Sequence, residues 1–328
     1  MPCPLAPGSD RPDVLLHAGS STRFARARVE RPPADDTRTW FRFHRLADGS
    51  AYLKWTGLFE FVISADGREI LFHRQKTAAP ESFSVYLLSQ VLSFSLLSFG
   101  TEPLHGTAVV VGGEAVVLLG DCGYGKSTLG AALLARGLPI LTDDLVALEK
   151  SDVGWMVRSG IPRIKLFPAV ARRLLGSDLG GTPMNGGTSK LVLPLGPGQA
   201  VSRSVPLRAL YVLSPPGEHR SVKGRPVQIE RLSGREAFLE VIRAAFNLLA
   251  LESSRMASQF AFARRLVLDV PVLRLTYPRD FSYLSTVCDV LLAELAALSL
   301  EDPGASMAGT ATAQWNGDHT ASSQMTRS

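Results

Sequence analysis

A glycine-rich octapeptide has the residue types and spacing of a phosphate-binding loop. Residues 120–127 read GDCGYGKS and fit the pattern G-x-x-x-x-G-K-[ST] in full. Glycines let successive backbone N–H groups point inward as an anion nest, and a helix that starts there adds positive charge. Lys126 has the reach for β- and γ-phosphates, and the Ser127 hydroxyl can ligate Mg²⁺. The pattern therefore predicts Mg²⁺ and ATP as cofactors, bound by Gly120, Asp121, Cys122, Gly123, Tyr124, Gly125, Lys126, Ser127 and Thr128.

Two adjacent carboxylates follow this loop. Asp143 and Asp144 come directly after a short apolar run, 140–142, which we interpret as a strand that ends at the pair. Groups at the carboxyl ends of neighbouring strands in an α/β sheet converge on one crevice, so we expect both to face the phosphates. One carboxylate can position Mg²⁺, directly or through water, and the other can accept a proton from an attacking hydroxyl. A solvated acidic turn is the alternative interpretation of the pair.

The elements around the loop are those that a phosphate-binding loop needs. Thr107–Val111 and Ala115–Leu119 are apolar, β-branched runs that predict a hairpin of buried strands. The second run enters the loop directly. A helix is predicted from Lys126 to about Arg136, closed by Gly137. His105 precedes the first strand, and a lone histidine at that place is more often structural than functional.

The whole chain divides into four segments by composition and pattern. Aromatic and alternating runs predict strands at 40–44, 51–55, 59–63 and 69–73, and the stretch 81–99 predicts a helix. A glycine-rich stretch, 183–189, is interpreted as a mobile loop. The predicted organisation is a flexible leader at 1–37, a small N-terminal α+β region at 38–100, an α/β P-loop domain at 101–298 and a disordered tail at 299–328.

Composition excludes several classes of protein. The 328 residues carry 35 Lys+Arg against 30 Asp+Glu, a net charge of +5, without a long basic run, so we expect no nucleic-acid partner. The most apolar segment, Val85–Phe99, contains several serines and is shorter than the roughly 20 residues of a membrane span, so no membrane partner is expected. Cys3, Cys122 and Cys288 are too few for a disulfide framework. A cytoplasmic location is the expectation.

Taken together, these motifs resemble the catalytic domain of HPr kinase/phosphorylase, a bacterial serine kinase with a P-loop. That family's pattern runs from a V-H-G-like segment through a strand hairpin to GDSGxGKS, then to R-G and D-D. Here the matching segments are Leu104-His105-Gly106, the loop at 120–127, Arg136-Gly137 and Asp143-Asp144. The resemblance implies an HPr-kinase/PEP-carboxykinase-like α/β domain over 101–298.

The resemblance also implies roles for individual residues. Lys126 and Ser127 would hold the phosphates and Mg²⁺, Asp144 would be the acid/base residue, and His105 would assist it. Asp143 then remains for the metal. A weaker match places Arg235, in Ser233-Gly234-Arg235-Glu236, at a catalytic position where the family has P-G-R-N; a surface arginine at a helix start is the alternative. Val157 stands where the family has an acidic metal ligand.

The function that follows is ATP-dependent phosphoryl transfer to a Ser/Thr hydroxyl of a peptide or protein. The chain looks more like HPr-kinase-related proteins of bacterial biosynthetic clusters, some of which phosphorylate a precursor peptide, than like true HPr kinases. A small-molecule kinase and a non-catalytic nucleotide-binding regulatory module are the alternatives. By analogy with the rings that HPr kinases form, we expect a homo-oligomer.

Overall fold

The computed structural model describes residues 12–30, 40–76, 78–176, 180–185, 187–218, 225–247 and 252–300. Its strands are β1 (Leu15–Ala18), β2 (Phe41–Arg45), β3 (Ala51–Trp55), β4 (Phe59–Ile63), β5 (Glu69–Arg74), β6 (Leu104–Val111), β7 (Glu114–Leu119), β8 (Ile140–Val146), β9 (Leu148–Ser151), β10 (Gly154–Val157), β11 (Arg163–Leu166), β12 (Thr182–Asn185), β13 (Thr188–Pro194), β14 (Val205–Leu213), β15 (Gln228–Arg231) and β16 (Val272–Thr276).

The helices are spread along the chain. They are α1 (Ser21–Glu30), α2 (Pro80–Tyr86), α3 (Leu92–Ser98), α4 (Lys126–Leu134), α5 (Pro168–Leu175), α6 (Gly234–Arg243), α7 (Ser253–Asp269) and α8 (Leu284–Leu300). A π-helical turn, Leu87–Val91, joins α2 to α3, so 80–98 is one helix with a widened turn in its middle. A 3₁₀ turn, Phe281–Tyr283, precedes α8.

The N-terminal region has its own sheet and its own core. The strand order is β1-β5-β4-β3-β2, and the helix 80–98 packs across one face. Along β3 and β4, successive side chains point to opposite faces of the sheet. Leu53 and Phe61 lie on the face that packs against the helix, in one cluster with Phe94. The four strands predicted from 40 to 73 are confirmed, because alternating aromatic residues match the period of a strand.

The expectation of a flexible leader is wrong for residues 12–30. β1 pairs in parallel with β5, and α1 buries Phe24 and Ala27 completely against Tyr52 and Val62. The segment has little apolar content, yet Phe24 and Ala27 are three residues apart and therefore share one helix face. Residues 1–11 and 31–37 of the predicted leader lie outside the described residues, as do residues 301–328 of the predicted tail.

The central sheet confirms the α/β class. Its strands run in the order β15-β16-β14-β7-β6-β8, and β10, which pairs with β9, joins the sheet beside β14. In β7, Val116 and Leu118 pack with Leu129 of α4 on one face. Val117 and Leu119 pack with the α6–α7 side on the other face. Both faces of β7 are therefore covered by helices, which explains its unbroken apolar sequence.

Helix α8 closes one face of this sheet. The stretch Phe281–Leu298 has the length and mean hydropathy, 1.5, that a membrane-crossing helix would need. Its buried residues recur on one side of the helix and belong to the core of the α4 face: Leu284, Val287, Cys288, Leu291 and Leu295. Packing in this core accounts for the apolar residues on that side of the helix, while 28% of the stretch is buried.

Two further elements differ from the predictions. The predicted mobile loop at 183–189 is largely ordered as β12 and β13, which form a small sheet with β11 in the order β11-β13-β12. Asp143 and Asp144 do not end their strand, because β8 continues to Val146 in antiparallel pairing with β6. The apolar run at 140–142 ends at the two aspartates, but the backbone hydrogen bonding of β8 to β6 continues past them.

Candidate active site

Strand register brings the loop and the carboxylates to one level of the sheet. Gly106 of β6 lies opposite Leu119 of β7 on one side and opposite Asp144 of β8 on the other. The P-loop begins immediately after Leu119. A Cβ atom on Gly106 would come within 2.9 Å of the Leu118 carbonyl oxygen and 3.2 Å of Val146 Cγ2. Glycine at 106 is therefore required for the close approach of these three strands.

The P-loop has the geometry of an anion-binding turn at a helix N-terminus. Gly123 and Gly125 have φ values of 89° and 90°, which favour glycine, and α4 begins at the next residue, Lys126. The Lys126 ammonium donates to the carbonyl oxygens of Gly120 (2.6 Å) and Asp121 (3.0 Å). Burial lowers the pKa of Lys126, while Cys122 and nearby carboxylates oppose this effect. The loop therefore encloses a cation that phosphates can attract.

Asp143 is fixed by three donors. Its Oδ1 accepts from Thr107 Oγ1 (2.7 Å) and Ser127 Oγ (2.9 Å), and its Oδ2 accepts from the backbone N–H of Lys165 (2.9 Å). A carboxylate and a hydroxyl oxygen beside the loop are the hard oxygen ligands that Mg²⁺ prefers. Within the described ranges there is no cluster of three or more His, Cys, Asp or Glu that could hold a metal. Mg²⁺ at Ser127 and Asp143 would thus complete its coordination with water and phosphate oxygens, as it commonly does.

Asp144 lies between two basic groups. Its Oδ2 forms an ion pair with Lys165 Nζ, and its Oδ1 is 3.4 Å from His105 Nε2. Burial alone would raise the pKa of Asp144, but the Lys165 ammonium and the His105 ring outweigh it and hold the pKa well below its usual range. Asp144 is also the non-glycine residue with positive φ (86°) in the described chain. This left-handed backbone turns the carboxylate of Asp144 away from the normal strand alternation.

His105 is held in place by the segment that follows α6. Its backbone N–H donates to the Ala244 carbonyl (2.7 Å), and its ring meets Phe246 edge-on at 5.6 Å between centroids. The ring is about one-third exposed. His105 thus reaches Asp144 on one side and remains open to a cavity on the other.

A cavity of about 350 Å³ adjoins these residues. It contains the start of the P-loop, His105, Asp144 and Lys165 on one side. Most of the other lining residues come from the N-terminal region and from the segment after α6. The lining residues are Val85, Tyr86, Ser89, Gln90, His105, Gly120, Asp121, Cys122, Asp144, Lys165, Met184, Arg243, Ala244, Ala245 and Phe246.

Two residues of interest from the sequence lie elsewhere. Arg235 is exposed in the first turn of α6 and does not line this cavity, so the structure does not bring it together with Asp144. Ser233 and Glu236 form a capping box at the start of α6. This cap is a structural role for Glu236, which stands where the family has Asn. Val157 is fully buried in β10, within the core on the α6–α7 face.

Three basic residues near the loop were missed by the sequence reasoning. Lys165 is buried in β11 between the apolar residues Ile164 and Leu166. A lysine inside an apolar strand was the signal in the sequence that could have indicated a buried, paired cation. Arg243, in the last turn of α6, lines the cavity. Arg279 lies beside Gly125 and stacks over Tyr277 at 3.9 Å. In the described part of the chain its buried Nε has no hydrogen-bond partner.

Comparisons with known proteins point to one family name. No protein-family model matches the chain. An HPr kinase/phosphorylase from Clostridium botulinum is 32% identical over 108 residues, 33% of each chain. A protein of the same name from Lachnoclostridium phytofermentans is 43% identical over 47 residues, which are 14% of this chain and 15% of that protein. Another, from Prosthecochloris aestuarii, is 31% identical over 77 residues, which are 24% of this chain and 22% of that protein. The chain spans about a third or less of the length of these curated relatives.

A solved structure that aligns with this chain is also named as an HPr kinase. The HPr(Ser) kinase/phosphatase from Coxiella burnetii aligns with 60% of this chain and 98% of its own, at 14% identity and a TM-score of 0.34. The sequence matches and the strand–loop–helix arrangement around residues 104–146 support the resemblance to HPr kinases and its α/β fold. The roles of His105, Lys126, Asp143, Asp144 and Arg235 stay predictions.

Proposed function

We propose that the chain transfers the γ-phosphoryl group of ATP to a Ser/Thr hydroxyl of a peptide or protein. The observation that carries this proposal is the shared cavity, in which Asp144 faces the start of the P-loop. The curated relatives are named as kinases of HPr, a protein acceptor. A precursor peptide as the acceptor, a homo-oligomeric assembly and a cytoplasmic location belong to the same proposal.

The P-loop residues would bind the nucleotide. The backbone of 120–125 and the N-terminus of α4 favour anionic phosphate. Lys126, which now donates to two loop carbonyls, would turn its ammonium to the β- and γ-phosphate oxygens. Mg²⁺ held by Ser127 and Asp143 would neutralise charge that develops on the phosphates. Thr107 orients Asp143 for this purpose through its hydroxyl.

Asp144 would receive the acceptor hydroxyl. Lys165 and His105 keep its carboxylate ionised at neutral pH, so it accepts a hydrogen bond. A carboxylate of low pKa is a weak base. In a loose phosphoryl-transfer transition state, however, positioning and charge contribute most, and the hydroxyl can lose its proton late. Asp144 would therefore orient the hydroxyl first and take its proton as the new P–O bond forms and the bond to ADP breaks. Lys165, which lines the same cavity, would face the transferred phosphoryl group.

A second candidate is a non-catalytic nucleotide-binding module. Its support is specific: Val157 is buried where an acidic ligand was expected, and Lys165 already pairs with Asp144. A module of this kind would bind Mg-ATP without turnover. The two candidates differ in one measurable quantity, the rate of phosphoryl transfer.

The test uses Asp144→Asn. Asparagine tolerates the left-handed backbone at 144, so the loop geometry should survive. We expect Mg-ATP affinity within about tenfold of wild type and a single-turnover transfer rate lower by at least about 100-fold, since a general base contributes about 10²–10⁴-fold. Asp143→Asn should instead raise the Mg²⁺ concentration needed for half-maximal rate.

Each outcome decides between the candidates. Transfer by Asp144→Asn at the wild-type rate contradicts the acid/base role. Tight ATP binding by wild type with no transfer to any acceptor or to water supports the non-catalytic module. The acceptors to try first are Ser-containing peptides, with glycerol and free L-serine as small-molecule arms.

A further inference from the structure

We propose that the helix of the N-terminal region is the acceptor-recognition element of this kinase. Val85 and Tyr86 of α2, with Ser89 and Gln90 of the π-helical turn, line the same cavity as Asp144. The class of acceptor that this wall admits is a Ser or Thr side chain with small, uncharged neighbours on a peptide. This inference rests on the proposed phosphoryl transfer.

The π-helical turn places the wall. A π turn inserts one extra residue into a helix and often occurs at functional sites, because it shifts the side chains that follow it. Here the turn covers Leu87–Val91, and two of its five residues, Ser89 and Gln90, line the cavity. The elements that hold the nucleotide loop, β7 and α4, come from the other region. The cavity is therefore lined jointly by the two regions, with Asp144 and the start of the P-loop from one and residues of the N-terminal helix from the other.

A buried amide fixes the wall to the catalytic region. Asn247 is 1% exposed; its Oδ1 accepts from Gln90 Nε2 (2.7 Å) and its Nδ2 donates to Ser93 Oγ (2.8 Å). Asn247 directly follows Phe246, whose ring contacts His105. A short covalent and hydrogen-bonded path thus links the π turn to the group beside Asp144. The distance between wall and carboxylate is set by this network.

Three polar groups of the wall are engaged within the protein. Ser89 Oγ donates to the Val85 carbonyl (2.6 Å), the Gln90 amide N–H donates to Asn247, and Tyr86 Oη accepts from Asn185 (3.4 Å). None of the wall residues is charged. A sugar or another polyhydroxyl acceptor needs several polar groups aimed at it, so this wall favours an acceptor with one reacting hydroxyl and neutral surroundings.

The size of the cavity favours the same class of acceptor, a Ser or Thr side chain on a peptide. Sites for complete small-molecule ligands occupy about 300–1,000 Å³, and this cavity, at 350 Å³, must also receive the terminal phosphoryl group. The remaining space suits one short side chain. Its rim includes exposed Cys122 and the largely exposed Arg243, so the cavity is open to solvent. An open cavity of this size accepts a side chain presented by a longer chain.

Two serines on this helix supply a pair of variants that differ in burial as well as in position, since Ser89 is 6% exposed, so Mg-ATP affinity serves as the check on folding. Ser89 lines the cavity, and Ser84 does not; each hydroxyl donates to the carbonyl four residues earlier. Ser89→Leu adds bulk to the wall, whereas Ser84→Leu adds the same bulk outside the cavity. The full chain is assayed for Mg-ATP affinity, and for kcat/KM on the capped peptide Ac-Ala-Ala-Ser-Ala-Ala-amide.

We expect Ser89→Leu to lower kcat/KM for the peptide by at least about tenfold, with Mg-ATP affinity unchanged, and Ser84→Leu to behave as wild type. Gln90→Ala is the second variant, because it enlarges the cavity. It should raise kcat/KM for Ac-Ala-Leu-Ser-Leu-Ala-amide relative to the alanine peptide by about tenfold, the size of discrimination that one or two methylenes provide in a pocket. Such a switch in preference cannot come from misfolding.

The outcomes separate this inference from the function it rests on. If wild type transfers phosphate but both wall variants keep the wild-type rate and preference, the wall does not contact the acceptor and only the inference fails. If glycerol or free L-serine is phosphorylated faster than every peptide, the acceptor class is wrong. If wild type binds Mg-ATP and transfers to none of the probes, the proposed function fails and the inference falls with it.

Discussion

Replacing Lys165 by methionine should destabilise the protein, because it removes one partner of a buried ion pair. The side chains of Lys165 and Asp144 are 9% and 16% exposed. Breaking such a pair from one side costs about 3–5 kcal/mol, since the remaining charge stays buried. Asp144 keeps His105 at 3.4 Å and some access to water, so we expect the lower end, about 3 kcal/mol.

The loss should depend on pH in a defined direction. The pKa of Asp144 is lowered in the folded chain from its usual value near 3.9. Its contribution to stability is therefore present above about pH 4 and is lost as the pH falls toward the folded pKa. Without Lys165 only His105 opposes the effect of burial, so the pKa of Asp144 is lowered less and protonation relieves the buried charge at a higher pH. The stability difference between wild type and Lys165→Met should thus shrink below about pH 4.

Urea unfolding at pH 7 and at pH 3.5 measures both quantities. Lys150→Met is the matched control, because Lys150 pairs with Asp269 at 2.8 Å while both side chains are well exposed, and such pairs contribute about 0–1 kcal/mol. The double variant with Asp144→Asn should lose less than the sum of the single losses. A loss at pH 7 no larger than that of Lys150→Met, or a difference that grows as the pH falls, refutes the reasoning.

Three further predictions concern the loop and the two regions. Lys126→Ala should weaken nucleotide binding and abolish turnover, since the buried ammonium is lost; unchanged affinity by calorimetry and unchanged ADP release would contradict the P-loop assignment. Arg279→Met should weaken nucleotide binding about tenfold, the effect of about 1.4 kcal/mol, because a half-buried cation beside Gly125 disappears; equal affinity in a titration would show that it does not face the nucleotide. Phe24→Ala should cost about 3–5 kcal/mol in urea unfolding, because Phe24 is fully buried; a loss below about 1 kcal/mol would contradict the packing of α1.

Local patterns predicted much of the fold. The bounds of β3 and β4 match the sequence prediction to the residue, because their aromatic and apolar residues follow the strand period and turn residues flank them. The hairpin before the P-loop and the helix after it are also confirmed, with α4 ending at Leu134 rather than near Arg136. These features depend on neighbours within a few residues, which a single sequence contains.

The missed features depend on contacts between distant segments. Lys165 reaches Asp144 only because β11 packs beside β8, and nothing near residue 165 predicts that neighbour. Arg279 reaches the P-loop through the end of β16, far along the chain. The leader was misjudged because Phe24 gains its burial from Tyr52 and Val62, which lie on strands about 30 to 40 residues further along the chain. Non-local packing of this kind leaves no period in the sequence.

The division of the cavity between two separately cored regions has a consequence for heating. Each region has its own apolar cluster, and the Gln90–Asn247–Ser93 network ties them at the cavity. Regions of a protein can unfold at different free energies, and we expect the region with the smaller core to unfold first. If the N-terminal region melts first, the cavity loses one wall while the P-loop keeps its strands and helices. Under the proposed function, the warmed chain would then bind nucleotide without selecting an acceptor, before it ceases to bind nucleotide at all.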